Sequence, residues 1–235
     1  MNKRLFSTAL GTSVLAMCAA GILGAGPALA HDSDRGRGDD KKVTLRADLQ
    51  ELNNSGAFGR ATVVVKGDEI LKIKVRARGL TPDAPHAQHI HYGEQARNEC
   101  PGLDLDTNND GRLNTLEGVP AYGPVVVSLT TRGDTTPASL LAVDRYPVAK
   151  HGRINYKRSH IPFTDVAGTG YPGTDGTGTA AQIAEAIRDG EGVVVIHGLD
   201  YNGDGKYSFS DEGASELDPT LPAEATDPAV CGVLR

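Results

Sequence analysis

Three histidines and two acidic loops hold most of the chemistry this sequence offers. His89 and His91 sit two residues apart in an apolar stretch, and His197 ends the run Val193-Val194-Val195-Ile196. Residues two apart on a β-strand project to one face, so His89 and His91 present two imidazoles together. Imidazoles gathered from two strands suit copper or zinc. His86, just upstream, and His160 are further candidates for the set. The competing reading for any one of them is a histidine hydrogen-bonded at a sheet edge.

The acidic loops have the spacing of calcium sites. Residues 106–117 place Asp106, Asn108 and Asp110 at positions 1, 3 and 5, and Gly111 at position 6. Arg112 follows at the backbone-carbonyl position 7, and Glu117 stands at position 12. That is the twelve-residue EF-hand loop, which wraps six to eight oxygens around a hard cation. Residues 200–211 repeat it with Asp200, Asn202, Asp204, Gly205 and Lys206, but end in Asp211, one methylene shorter, with Glu212 alongside as a substitute. The competing reading for each loop is an ion-free surface turn. No amphipathic helix precedes either loop, so structural calcium fits better than a sensor that opens a groove.

These ligands need a scaffold. Val43–Leu49, Gly59–Val65 and Ile70–Ala77 alternate apolar and polar residues at hairpin spacing, the mark of antiparallel strands. The histidine strand, Val125–Leu129, Val193–Ile196 and the core-returning Val230–Leu234 add more. Residues 138–158 show no sustained period, and residues 168–179 are Gly- and Thr-rich, as in a loop. One short helix is expected at Ala180–Arg188, capped by Thr179 and stopped at Asp189-Gly190. The tail from Leu217 to Pro228 contains three prolines and is expected to wrap the surface.

Residues 1–30 read as a signal peptide: Lys3 and Arg4, an apolar stretch, then Ala28-Leu29-Ala30 as a cleavage site. Residues 31–42 are polar enough for a disordered lead-in, and residues 43–235 form one domain with the two loops inserted. Cleavage takes 24 Lys and Arg down to 22 against 30 Asp and Glu, a balance of −8. An acidic exported chain speaks against nucleic acid, and nothing beyond the leader calls for membrane insertion. Metal ions are the expected partners; the residues point to no protein partner. Cys100 and Cys231 remain, an even pair that reads as one disulfide in an oxidising compartment, contributing roughly 4–5 kcal/mol by chain entropy.

The order His89-Ile90-His91, Cys100, Val193-Val194-Val195-Ile196-His197, Cys231 resembles the copper,zinc superoxide dismutases. The resemblance implies a Greek-key antiparallel β-sandwich or barrel, copper at His89, His91 and His197 with His160 or His86 completing the set, and a Cys100–Cys231 bond. The family's bridging histidine and zinc run are missing, and Pro228 stands at its guiding-arginine position; Arg97 and Arg112 are the remaining cations to consider. A second resemblance, through Gly79-Leu80-Thr81-Pro82, His89-Ile90-His91 and Gly123-Pro124-Val125-Val126-Val127, is to the CHRD domain, an extracellular β-fold. Three functions follow as expectations: a secreted metal-binding protein, a divergent copper-only superoxide dismutase, or a calcium-stiffened adhesion or matrix module. In each, the two calcium loops are expected to brace the rim around His89, His91 and His197.

Overall fold

A computed structural model describes residues 41–170 and 176–235; the leader 1–30 and nearly all of the lead-in lie outside that range. The chain forms β1 Val43–Glu51, β2 Phe58–Lys66, β3 Glu69–Arg78 and β4 Gln88–His91, then α1 Thr115–Tyr122 and β5 Val125–Ser128. β6 Arg153–Arg158, β7 Ile161–Pro162, β8 Val166–Ala167 and β9 Thr177–Gly178 follow, then α2 Ala180–Arg188, β10 Val193–His197, α3 Ala223–Thr226 and β11 Pro228–Val233. Nine strands join in the order β5-β4-β10-β11-β1-β2-β3-β6, with β7 also on β3, and every pairing is antiparallel. The expected all-β antiparallel sandwich or barrel is the fold observed.

The alternation of β1 to β3 works as the sequence implies. Leu45, Ala47, Leu49, Ala61, Val63, Val65, Ile73 and Val75 turn inward and are buried, while their polar neighbours stay wet. β1 then carries the sheet round a corner: only its last residues, Gln50 and Glu51, pair with β11. Beyond that corner β11, β10, β4 and β5 form a second layer whose inner residues Ile90, Val194, Ile196 and Val230 pack into the same core.

The middle strands of that layer are covered on both faces, so β4 and β10 are buried at every position. On the outer face Val193, Val195 and Cys231 meet Tyr122 from α1, and the Cys100–Cys231 disulfide is formed with its Cα atoms 5.7 Å apart.

Some expectations need correcting. Three short helices exist among the described residues, not one. α1 carries Gly118 and Pro120, poor helix formers that disguise it, yet Asn114 and Glu117 close a capping box at its start. Gly118 is required there because a Cβ would run into the Tyr122 ring. α2 is as expected, with Thr179 and Gln182 as its capping box. Residues 138–158 contain single 3-10 turns and then β6, and the Gly/Thr-rich stretch holds half of the β8–β9 ribbon.

Candidate metal centre

β4 and β10 are adjacent, and their register sets His89 opposite Val195 and His91 opposite Val193. Directly opposed residues share a face, and His197 lies two beyond Val195, so all three imidazoles emerge on the outer face of the second layer. Their ring centres are 5.2 to 6.1 Å apart. One nitrogen from each lies within 4.8 Å of the others, and all three residues are buried.

Each ring is held from behind. His91 Nδ1 donates to the Gly123 carbonyl at 2.8 Å and His197 Nδ1 to the Thr226 carbonyl at 2.6 Å. The Tyr146 hydroxyl donates to the Ser139 carbonyl at 2.9 Å, which leaves its oxygen to accept from His89 Nε2 at 2.8 Å. This network assigns the tautomers and frees one lone pair per ring: His89 Nδ1, His91 Nε2 and His197 Nε2 are buried and have no partner. Burial, and then the neighbouring imidazoles, hold His89 well below the usual histidine range and His91 at about 3; burial first holds His197 at about 4. All three are neutral at pH 7, the state that binds a metal. Three orphaned nitrogens would be costly unless something satisfied them, so the donor set fits a copper or zinc ion.

A cavity of about 40 Å³ opens over the rings, walled by Pro85, Leu140, Leu141, Val143, Leu221 and Ala225. Thr115 and Tyr207 join the wall from the two loops, Thr226 lines it from α3, and no charged residue lines it.

The other candidate ligands lie elsewhere. His86 is buried, but its Nδ1 and Nε2 face the His197 and Thr81 carbonyls at 2.8 and 3.0 Å, with the Tyr207 hydroxyl beside them. Its role is to lock the end of β10 to the segment between β3 and β4. His160 is exposed and pairs with Glu69 at 2.9 Å; it takes no part in the cluster. Arg97 is exposed and engaged by Asp104 at 2.9 Å, and Arg112 borders a different cavity.

Both acidic loops form the same backbone trap. Asp106 accepts from the Gly111 N–H at 2.9 Å, Asn108 from the Asp110 N–H at 2.9 Å, and Asp110 from the Arg112 N–H at 3.0 Å. In the second loop Asp200 accepts from the Gly205 N–H at 2.7 Å, Asn202 from Asp204 at 2.9 Å, and Asp204 from Lys206 at 3.1 Å. Positions 4 and 6 have positive φ in both, at Asn109 and Gly111, then Gly203 and Gly205.

The twelfth positions differ. Glu117 receives the Thr107 and Asn114 N–H groups, positions 2 and 9 of its loop, at 2.9 and 3.1 Å. In the second loop the equivalent donors, Tyr201 and Ser208, go to Glu224 of α3, at 3.2 and 2.7 Å. Asp211 is exposed and outside this pattern, and Glu212 turns to Arg112 at 2.9 Å. Glu224, fully buried, is the residue the sequence reading missed. Its spacing lies beyond any twelve-residue motif, and only the lone acid in an apolar helix, Ala223-Glu224-Ala225, signalled it. Asp110 and Asp200 border one cavity, so the loops lie side by side. Each also reaches the histidine pocket, through Thr115 and Tyr207.

An antiparallel β-sandwich with a long-range disulfide and a buried histidine cluster is a domain suited to an oxidising compartment. Among the described residues, no helix is long and apolar enough to cross a membrane. The family model of the CHRD domain matches residues 42–205, and the chain belongs to that family. The matched span runs from β1 into the second loop, leaving α3 and β11 beyond it. No curated protein matches the chain.

Proposed function

We propose that this protein is an exported metal-binding domain whose residues 43–235 follow a cleaved leader, residues 1–30, and a lead-in, residues 31–42. One copper or zinc ion is held by His89 Nδ1, His91 Nε2 and His197 Nε2. The observation that carries this reading is the convergence of three buried, unpartnered imidazole nitrogens within 4.8 Å. Copper there would supply one-electron chemistry and zinc a Lewis acid; the chain orients the rings through Gly123, Thr226 and Tyr146.

Calcium in this reading is structural. The first ion takes Asp106, Asn108, Asp110, the Arg112 carbonyl and Glu117; the second takes Asp200, Asn202, Asp204, the Lys206 carbonyl and Glu224 in place of Asp211. Support comes from the shared trap of the two loops and the matching grip of Glu117 and Glu224 on positions 2 and 9. The loops flank the histidine pocket, so calcium braces its rim.

A superoxide dismutase finds less support. Steering a small anion requires positive charge near the metal, and the pocket wall contains no lysine or arginine. The test is elemental analysis of the full chain after equilibration with calcium and with either copper or zinc, together with His89→Ala and His197→Ala. The expected result is two calcium ions and one transition metal per chain, the latter lost in both variants. Wild-type protein that retains no stoichiometric copper or zinc overturns the histidine assignment, and rapid superoxide turnover by the copper form restores the enzyme reading.

A further inference from the structure

We propose that the histidine centre is selective for copper(I) over copper(II) and zinc(II), a refinement that rests on the metal-binding reading above. It follows from what surrounds the three nitrogens. All three donors are neutral, and the cavity wall contributes no carboxylate, thiolate or other charged group. An ion entering this pocket therefore keeps its full formal charge. The cost of moving an ion from water into a low-dielectric wall grows with the square of its charge, so a dication is penalised about fourfold more than a monocation.

The buried acids nearby do not relieve that penalty. Asp227 follows Thr226, the residue whose carbonyl holds His197, but its Oδ2 is engaged by Arg112 at 2.6 Å and by the Tyr201 hydroxyl at 3.0 Å. It does not line the cavity. Glu117 and Glu224 are gripped by loop N–H groups.

Coordination number points the same way. Zinc takes a fourth ligand, commonly water when the protein offers three, and copper(II) favours a tetragonal set. A bound water needs polar partners of its own. Above the rings it would meet Leu140, Leu141, Val143 and Leu221. The three hydroxyls in the wall are already engaged: Thr115 donates to the Thr226 carbonyl at 2.6 Å, Thr226 donates to the Ser215 hydroxyl at 2.8 Å, and Tyr207 lies against His86. Copper(I), a closed-shell monocation, is satisfied by three nitrogen donors and needs neither a water nor a counter-charge.

The test measures affinities of the calcium-loaded full chain. Copper(I) is titrated anaerobically under ascorbate in competition with bicinchoninate, and copper(II) and zinc(II) against chromophoric chelators. Copper(I) is expected to bind at least about 100-fold more tightly than copper(II), which places the bound couple about 120 mV above that of aqueous copper. Protein reduced with ascorbate and then returned to air is expected to stay silent in electron paramagnetic resonance. Copper(II) or zinc(II) binding as tightly as copper(I) overturns the selectivity and leaves the metal site standing; failure of all three ions to bind overturns the site itself. Leu141→Asp, which adds a carboxylate to the wall, is expected to narrow the copper(I) to copper(II) ratio at least tenfold. Leu221→Asp makes the same change from another segment in case the first variant does not fold. An unchanged ratio in a variant that still melts cooperatively overturns the electrostatic cause.

Discussion

The two acidic loops trap the same backbone shape by different means. The first is self-sufficient: its last residue, Glu117, belongs both to the loop and to the capping box of α1. The second stops short and takes its closing carboxylate from Glu224, sixteen residues beyond Ser208, on a helix of only four residues. Closing a loop locally costs little chain entropy, whereas recruiting a remote acid ties two segments together. The second loop thereby pins α3, and α3 ends at Thr226, whose carbonyl orients His197. The first loop reaches that same carbonyl through Thr115. Two loops of one type thus converge on one backbone oxygen behind the histidine cluster, the first directly and the second through α3.

Arg112 is the strongest link between them. Its guanidinium contacts Asp110 in the first loop, Glu212 just past the second, and Asp227 after α3. Asp227 is fully buried, and burial pushes its carboxyl up against the opposing pull of Arg112 and Tyr201. Arg112→Met strands that carboxylate, and a loss of about 3–5 kcal/mol is expected in urea denaturation. The double variant Arg112→Met/Asp227→Leu is expected to recover much of it. A single-variant loss below about 1 kcal/mol would show that the loops are not joined through this pair.

Glu117→Gln and Glu224→Gln come next. Each keeps an oxygen acceptor for one of its two loop N–H groups, loses the acceptor for the other, and removes a bidentate carboxylate. In chelator both are expected to fold. In calcium at about 100 times the dissociation constant, each is expected to forgo about 2.7 kcal/mol of ligand-linked stability, read as a lost calcium-dependent rise in Tm. Equal losses would make the borrowed acid equivalent to the local one. A full calcium response in Glu224→Gln would break the equivalence.

Much of this was legible in the sequence, for identifiable reasons. β1, β2 and β3 have one wet face, so strict alternation disclosed them. The histidine trio could be read because residues two apart share a face and Val193–Ile196 is a recognisable buried strand. Elements defined by tertiary contact were hidden. α1 is short and interrupted by Gly118 and Pro120, and is held by Tyr122 and its cap rather than by helix propensity. The CHRD match ends at residue 205, before α3, so Glu224 lay outside both local spacing and the matched span. His160 was misjudged because sequence order could not show that it sits at the edge of β3, with Glu69 as partner. Tyr146, which fixes the tautomer of His89, lies in a stretch with no period at all.

Thr115 tests the meeting point directly. Its hydroxyl donates to the Thr226 carbonyl from a buried position, and Thr115→Val keeps the volume while deleting that bond. The expected cost is about 1 kcal/mol in urea denaturation. His197 still donates to the same carbonyl, so copper(I) affinity is expected to fall by less than about tenfold, against the 10- to 100-fold typical of losing a direct outer partner. Complete loss of metal binding in this variant would mean that the first loop, and not α3, governs His197.

The smallest effect is expected at Asp211, where the sequence motif would place one of the larger ones. Asp211→Asn alters an exposed residue outside the hydrogen-bonded frame of its loop, while Tyr201 and Ser208 are held by Glu224. Substitutions at such surfaces usually stay within about 0.5 kcal/mol, and Tm in calcium is expected to match wild type. Position 12 of a calcium loop must supply a carboxylate that reaches back over the chelated face. Glu224 already occupies that place in the frame, so Asp211 has no vacancy to fill. If instead Asp211→Asn abolishes the calcium response and Glu224→Gln preserves it, the second loop closes on itself after all. The contrast with the first loop would then reduce to a carboxylate one methylene shorter.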